Sequence, residues 1–70
     1  MTAIEIGKII SSRRADLGLK QEDVAEMAGV NPKTIYAIEN GKGNPSFESL
    51  QKVSEVLGME LLVNIKKVDA

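Results

Sequence analysis

Between Met27 and Gly41 the sequence MAGVNPKTIYAIENG stops one helix, turns, starts a second and stops that too. Gly29 suits the left-handed residue that ends a helix. Asn31 is a good N-cap, and Pro32 fits the first helical position, where its missing N–H costs nothing. Gly41 marks the end of the second helix, near Asn40. Two short helices joined by so tight a turn cross closely, which calls for a small residue where they touch and apolar anchors on the facing sides. Ala25 is small where the helices touch, and Val30, Ile35 and Ile38 supply the anchors.

The rest of the chain is punctuated in the same way. Thr2 and Glu5 form a Thr-x-x-Glu capping box, followed by Ile6, Ile9, Ile10 and Leu17 at helical spacing up to Gly18. A short helix is expected from Gln21 to Met27, with Val24, Ala25 and Ala28 inward. Lys20 stands at its N-cap, where Ser, Thr or Asn is usual. GKGNP is a loop, and Ser46 caps a further helix with Phe47, Leu50, Val53 and Leu57 on its apolar stripe, ending at Gly58. In MELLVNIKKV the period changes to two, with Met59, Leu61, Val63 and Ile65 alternating with Glu60, Leu62, Asn64 and Lys66. This predicts one β-strand, with a frayed tail or a fifth helix as the alternatives. A lone strand leaves its N–H and C=O groups unpaired, so it must pair with another chain. The same strand of a second copy, antiparallel across a two-fold axis, is the expected partner. The domain is thus expected over 1–58, with a dimerising strand and tail over 59–70.

Seventy residues hold one domain with a thin core. With no cysteine and no histidine, disulfides, thiolate or imidazole metal sites and imidazole catalysis are excluded. The carboxylates are scattered over helix surfaces rather than converging in a pocket, so neither an enzyme nor a cofactor is expected. No apolar run approaches the roughly 20 residues of a membrane span, and no signal-peptide pattern opens the chain. A soluble cytoplasmic protein with no membrane partner is expected. Nine basic and ten acidic residues nearly cancel, so the arrangement of the cations on one face matters more than the net charge.

The tight pair of helices is a helix-turn-helix motif. With Ile35 and Ile38 turned to the core, the second helix presents Pro32, Lys33, Tyr36, Ala37 and Asn40 on its other side. Lysine can donate to guanine, asparagine can pair with adenine, and an alanine methyl can meet that of thymine. Such a helix enters the major groove N-terminus first, making Asn31, Lys33, Thr34 and Ala37 the main base-edge candidates. Tyr36 either touches base or sugar, or lies on Phe47 as a structural residue. Arg13, Lys20, Lys33 and Lys42 are the cations that could face phosphate, with Glu22, Asp23 and Glu26 on the outer side of the preceding helix.

The run GLKQEDVAEMAGVNPKTIYAIENGKGNPSFESLQKVSEVLG resembles the Cro/repressor, or Xre-type, helix-turn-helix family over about Ile6 to Gly58. IENGK followed by PSFESLQKVSEVLG is a specific signature of that family. The resemblance implies an all-α, compact four- to five-helix, lambda-repressor-like domain. It further implies a homodimer that binds palindromic double-stranded operator DNA and represses transcription. It places Gln21 on phosphate and against the reading helix, Asn40, Gly41 and Lys42 along the backbone, and Pro32, Lys33 and Thr34 at the base-reading end. It also implies an ion pair inside the fold between Arg14 and Glu39. Pro32, where many relatives carry Gln or Ser, and Lys20 depart from the pattern. A helix-turn-helix core followed by a strand is similar to the antitoxin partners of kinase-type toxins. An antitoxin that binds a toxin protein and regulates its own operon is therefore the alternative reading.

Overall fold

The computed structural model describes residues 1–67, and each of its helices begins at a local capping bond. The first helix, α1 (Ala3–Asp16), starts where the Thr2 hydroxyl accepts the Glu5 N–H at 3.1 Å. At α2 (Gln21–Ala28) the unfavourable Lys20 cap is offset from inside the helix, because the Asp23 carboxylate accepts the Lys20 N–H at 2.8 Å. An acid in the first turn also suits the positive end of the helix dipole. Helix α3 (Pro32–Glu39) opens with the Asn31 side-chain oxygen accepting the Lys33 N–H at 2.9 Å. Helix α4 (Phe47–Val56) opens with Ser46 accepting from the Ser49 N–H at 3.0 Å.

The turn between α2 and α3 is built on Gly29, whose φ of 70° a side chain would resist. That conformation lets the Val30 N–H reach back to the Ala25 carbonyl at 3.0 Å, closing the end of α2 within one residue. A single residue then separates Val30 from Pro32, where α3 begins.

The core is one cluster: Ile10 from α1, Val24, Ala25 and Ala28 from α2, Ile35 and Ile38 from α3, and Val53 and Leu57 from the α4 end of the chain. Ile6, Leu19, Val30, Leu50, Val56 and Met59 pack around it, half-buried. Helix α3 lies against both α1 and α2, and α2 also lies against α4. Among the described residues no helix is long and apolar enough to cross a membrane.

Three apolar residues expected on inward stripes are exposed instead. Ile9 and Leu17 sit on solvent because α1 turns Ile6, Gly7 and Ile10 to the core, which puts residue 9 at the edge of the stripe and residue 17 beyond the helix. Phe47 is 66% exposed because it is the first residue of α4, a turn before Leu50 reaches the core.

The tail also differs from the expectation. The architecture is four helices, with neither a fifth helix nor a strand among the described residues. Residues 59–67, including Leu61, Val63 and Ile65, carry no regular secondary structure in the single chain. An unpaired strand has no ladder to hold it, which accounts for the difference. Residues 68–70, the end of the expected tail, lie outside the described residues.

Candidate nucleic-acid interface

The second helix of the tight pair is held from below. Ile35 and Ile38 are buried, which fixes the rotation of α3 and turns its other side outward. On that side Asn31, Pro32 and Lys33 are exposed, Tyr36 is 54% exposed, and Thr34 and Ala37 are half-buried. Phe47 is exposed as well, so neither aromatic is sheltered in the core.

The loop after α3 folds back onto this surface. The Lys42 N–H bonds the Ala37 carbonyl at 2.9 Å, and the Gly41 N–H bonds that of Ile38 at 3.1 Å. The result is an open groove lined by Lys33, Thr34 and Ala37 on one side and by Lys42, Gly43, Asn44 and Pro45 on the other. Two ammonium groups and no carboxylate line it. The loop residues Gly43, Asn44 and Pro45 escape a reading of helix faces, because they join the groove only through the backbone bonds that return the loop to α3. Asn40 donates its amide N–H to the Tyr36 carbonyl at 2.8 Å, which fixes that side chain at the C-terminal end of α3.

The rear of α3 is anchored by charge. Glu39 receives two hydrogen bonds from Arg14, at 2.6 Å from Nε and 2.9 Å from the second guanidinium nitrogen. It also accepts the Gln21 amide at 3.1 Å, while Arg14 donates to the Leu19 carbonyl at 2.8 Å. The Glu39 side chain is 5% exposed and that of Arg14 19%. Burial alone would raise the Glu39 pKa. The hydrogen bonds from Arg14 and Gln21 and the neighbouring positive charge outweigh it, and the carboxyl sits below its ordinary value of 4.5. Arg14 is raised, first by the hydrogen bond to Glu39. The Arg14 fork thus ties α1 to the segment leading into α2 and to the end of α3, and Gln21 brings the start of α2 onto the same carboxylate.

The other cations separate by task. Lys20 is exposed at the N-terminus of α2. Gln21 is half-buried, with its amide used on Glu39. Arg13, expected among the phosphate-facing cations, is exposed and donates its Nε–H to the Leu57 carbonyl at 2.8 Å, just after α4. A cation there complements the negative end of the helix dipole. Lys52 pairs with Glu48 on the exposed face of α4. The sequence does signal Arg13 as a cation in the last turn of α1, but only the fold brings the end of α4 against it.

One residue of this assembly escaped the reading of motifs. Gly7 lies in the middle of α1, where a Cβ atom would come within 2.5 Å of the Ile38 carbonyl oxygen and 2.6 Å of that of Glu39. The backbone of α1 therefore passes directly over the end of α3. The only signal available in the sequence is a residue of poor helix propensity inside a well-capped helix.

The helix-turn-helix family profile matches residues 10–63. The chain is 38% identical over 61 residues to an uncharacterised HTH-type transcriptional regulator of Methanothermobacter thermautotrophicus, covering 87% of this chain and 88% of that protein. Other matched relatives are longer, and the chain spans 19% to 40% of their length. Among solved structures, the biofilm master regulator SinR in complex with DNA is similar at 39% identity and a TM-score of 0.71, over 79% of this chain and 89% of that one. The clp gene regulator ClgR of Corynebacterium glutamicum matches at 30% identity and a TM-score of 0.76, over 84% of this chain and 63% of that one. The profile spans the tight turn, the buried anchors of α3 and the loop that returns to it, and the chain belongs to the Xre-type helix-turn-helix family of transcriptional regulators.

Proposed function

We propose that this protein is a sequence-specific DNA-binding repressor that inserts α3 into the major groove of a palindromic operator as a homodimer. The observation that carries the reading is the groove in which Lys33, Thr34 and Ala37 stand beside Lys42 with no carboxylate in the lining. Near-neutral net charge is then no obstacle, because Arg14 covers Glu39 and the uncovered ammonium groups flank the reading helix.

In this reading Asn31, Lys33, Thr34 and Ala37 meet base edges from the N-terminal part of α3, with Pro32 and Tyr36 alongside. Lys42, Lys20, Gln21 and Asn40 lie along the phosphates and set the register. Phosphate contacts position the protein, while base contacts carry the sequence information. So few cations give modest, salt-dependent binding from one subunit, and a second subunit doubles them. The solved complex of the similar regulator SinR with DNA supports the assignment.

Two substitutions separate the roles. Lys33→Ala is expected to cost about 1–3 kcal/mol on the preferred site and to relax the preference at one base position. Lys42→Ala is expected to weaken all duplexes alike and to reduce the salt slope by about one per subunit. Selection from random oligonucleotides followed by titration of both variants measures this. Unchanged affinity in both would remove the groove from the interface.

A further inference from the structure

After Met59 the chain leaves the core, and its apolar residues become progressively bare: Leu61 is 39% exposed, Leu62 72%, Val63 97% and Ile65 98%. Chain this apolar with free backbone groups is a template for another strand. Resting on the homodimer reading above, we infer that two copies pair antiparallel over residues 60–66 with Val63 on the two-fold axis.

Directly opposed residues of an antiparallel pair share a face, so the pairing must set the alternating apolar set against itself. With Val63 on the axis, Leu61 faces Ile65 of the partner subunit and Val63 faces Val63 of the partner subunit. On the other face Glu60 meets Lys66 of the partner subunit, and Lys66 meets Glu60 of the partner subunit. Two opposite-charge pairs then close the ends of the ladder, where opposed charges favour the pairing and like charges oppose it.

The neighbouring registers lose this match. With Leu62 on the axis, Glu60 would face Asn64 and Lys66 would face Gly58. With Asn64 on the axis, Leu61 would face Lys67 and Leu62 would face Lys66. Charge complementarity therefore selects both a second copy as occupant and a single register.

The chain contains no cysteine, so single cysteines report the register without interference. Opposed residues lie about 4.5–5.5 Å apart between Cα atoms, inside the disulfide range, whereas Leu61 and its own copy would be about 14 Å apart along the strands. Full-length V63C, L62C and L61C are oxidised and run on non-reducing gels, beside sedimentation equilibrium of the unmodified chain. The expected result is a dimer in which V63C crosslinks at least tenfold faster than the other two. Glu60→Lys is expected to weaken the dimer about tenfold, and adding Lys66→Glu to restore it. A dimer in which L62C links fastest, or in which no cysteine links, overturns the register and leaves the homodimer standing. A chain that stays monomeric overturns both.

Discussion

At the residue scale, Glu39 is the side chain on which most depends. It holds Arg14 and Gln21 at once and is almost fully out of water. Removing one member of such a pair leaves the other charge without compensation. Glu39→Ala is expected to cost about 3 kcal/mol at neutral pH, the low end of the usual range because Arg14 keeps some contact with solvent. In a chain of this size that lowers the melting temperature by more than about 10 °C. The dependence on pH follows from the depressed pKa. The carboxyl binds protons less readily folded than unfolded, so its contribution is complete above the ordinary value of 4.5 and is lost as pH falls below it through the folded value. Glu39→Gln is expected to be less stable than the natural chain at pH 7, with the difference shrinking on acidification. Thermal melts across that range check it, and a gap that stays constant with pH would mean the ionised form is not what matters.

At the element scale, the position of α3 is set by what lies behind it. The two isoleucines fix its rotation, and the bare backbone of Gly7 lets α1 press against its last carbonyls. Alanine is the better helix former by about 1 kcal/mol, so on propensity alone Gly7→Ala would stabilise α1. The carbonyl oxygens of Ile38 and Glu39 leave no room for the methyl, and they are backbone atoms that cannot swing aside. The substitution is therefore expected to destabilise by about 1–3 kcal/mol, as overpacking does. Denaturant melts measure this, and a more stable variant would show that α1 and α3 are further apart than described. If the proposed role of α3 holds, the same shift also weakens operator binding, because a small displacement of α3 moves every base contact together.

At the scale of the whole molecule, a thin core is supplemented by the tail in the proposed dimer. Deleting residues 61–70 is expected to give a monomer by sedimentation with unchanged helical circular dichroism, since none of the buried cluster lies beyond Leu57. Binding to a two-half-site operator is then expected to fall steeply, while a single half-site is barely affected. A truncated chain that remains dimeric would assign the interface to the helices. The helices themselves were legible in the sequence because their signals are local. Thr2, Asn31 and Ser46 cap within three residues, Gly29 forces the turn, and Ile35 and Ile38 repeat at helical spacing. Inward and outward faces of α3 follow from that periodicity alone. Phe47, Ile9 and Leu17 were misplaced because periodicity assigns a face without saying how far the neighbouring helices extend to cover it. Arg13 on the Leu57 carbonyl and the clearance over Gly7 were hidden for a related reason: each joins segments far apart along the chain, at a crossing that neither specifies alone, while the loop wall of the groove depends on the backbone bonds that return Gly41 and Lys42 to α3. The sequence by itself thus determined where helices start, stop and turn, because those choices are made within a few residues of backbone hydrogen bonding. Only the tertiary structure decided which side chains meet, because distances between helices are set by the packing of all of them together.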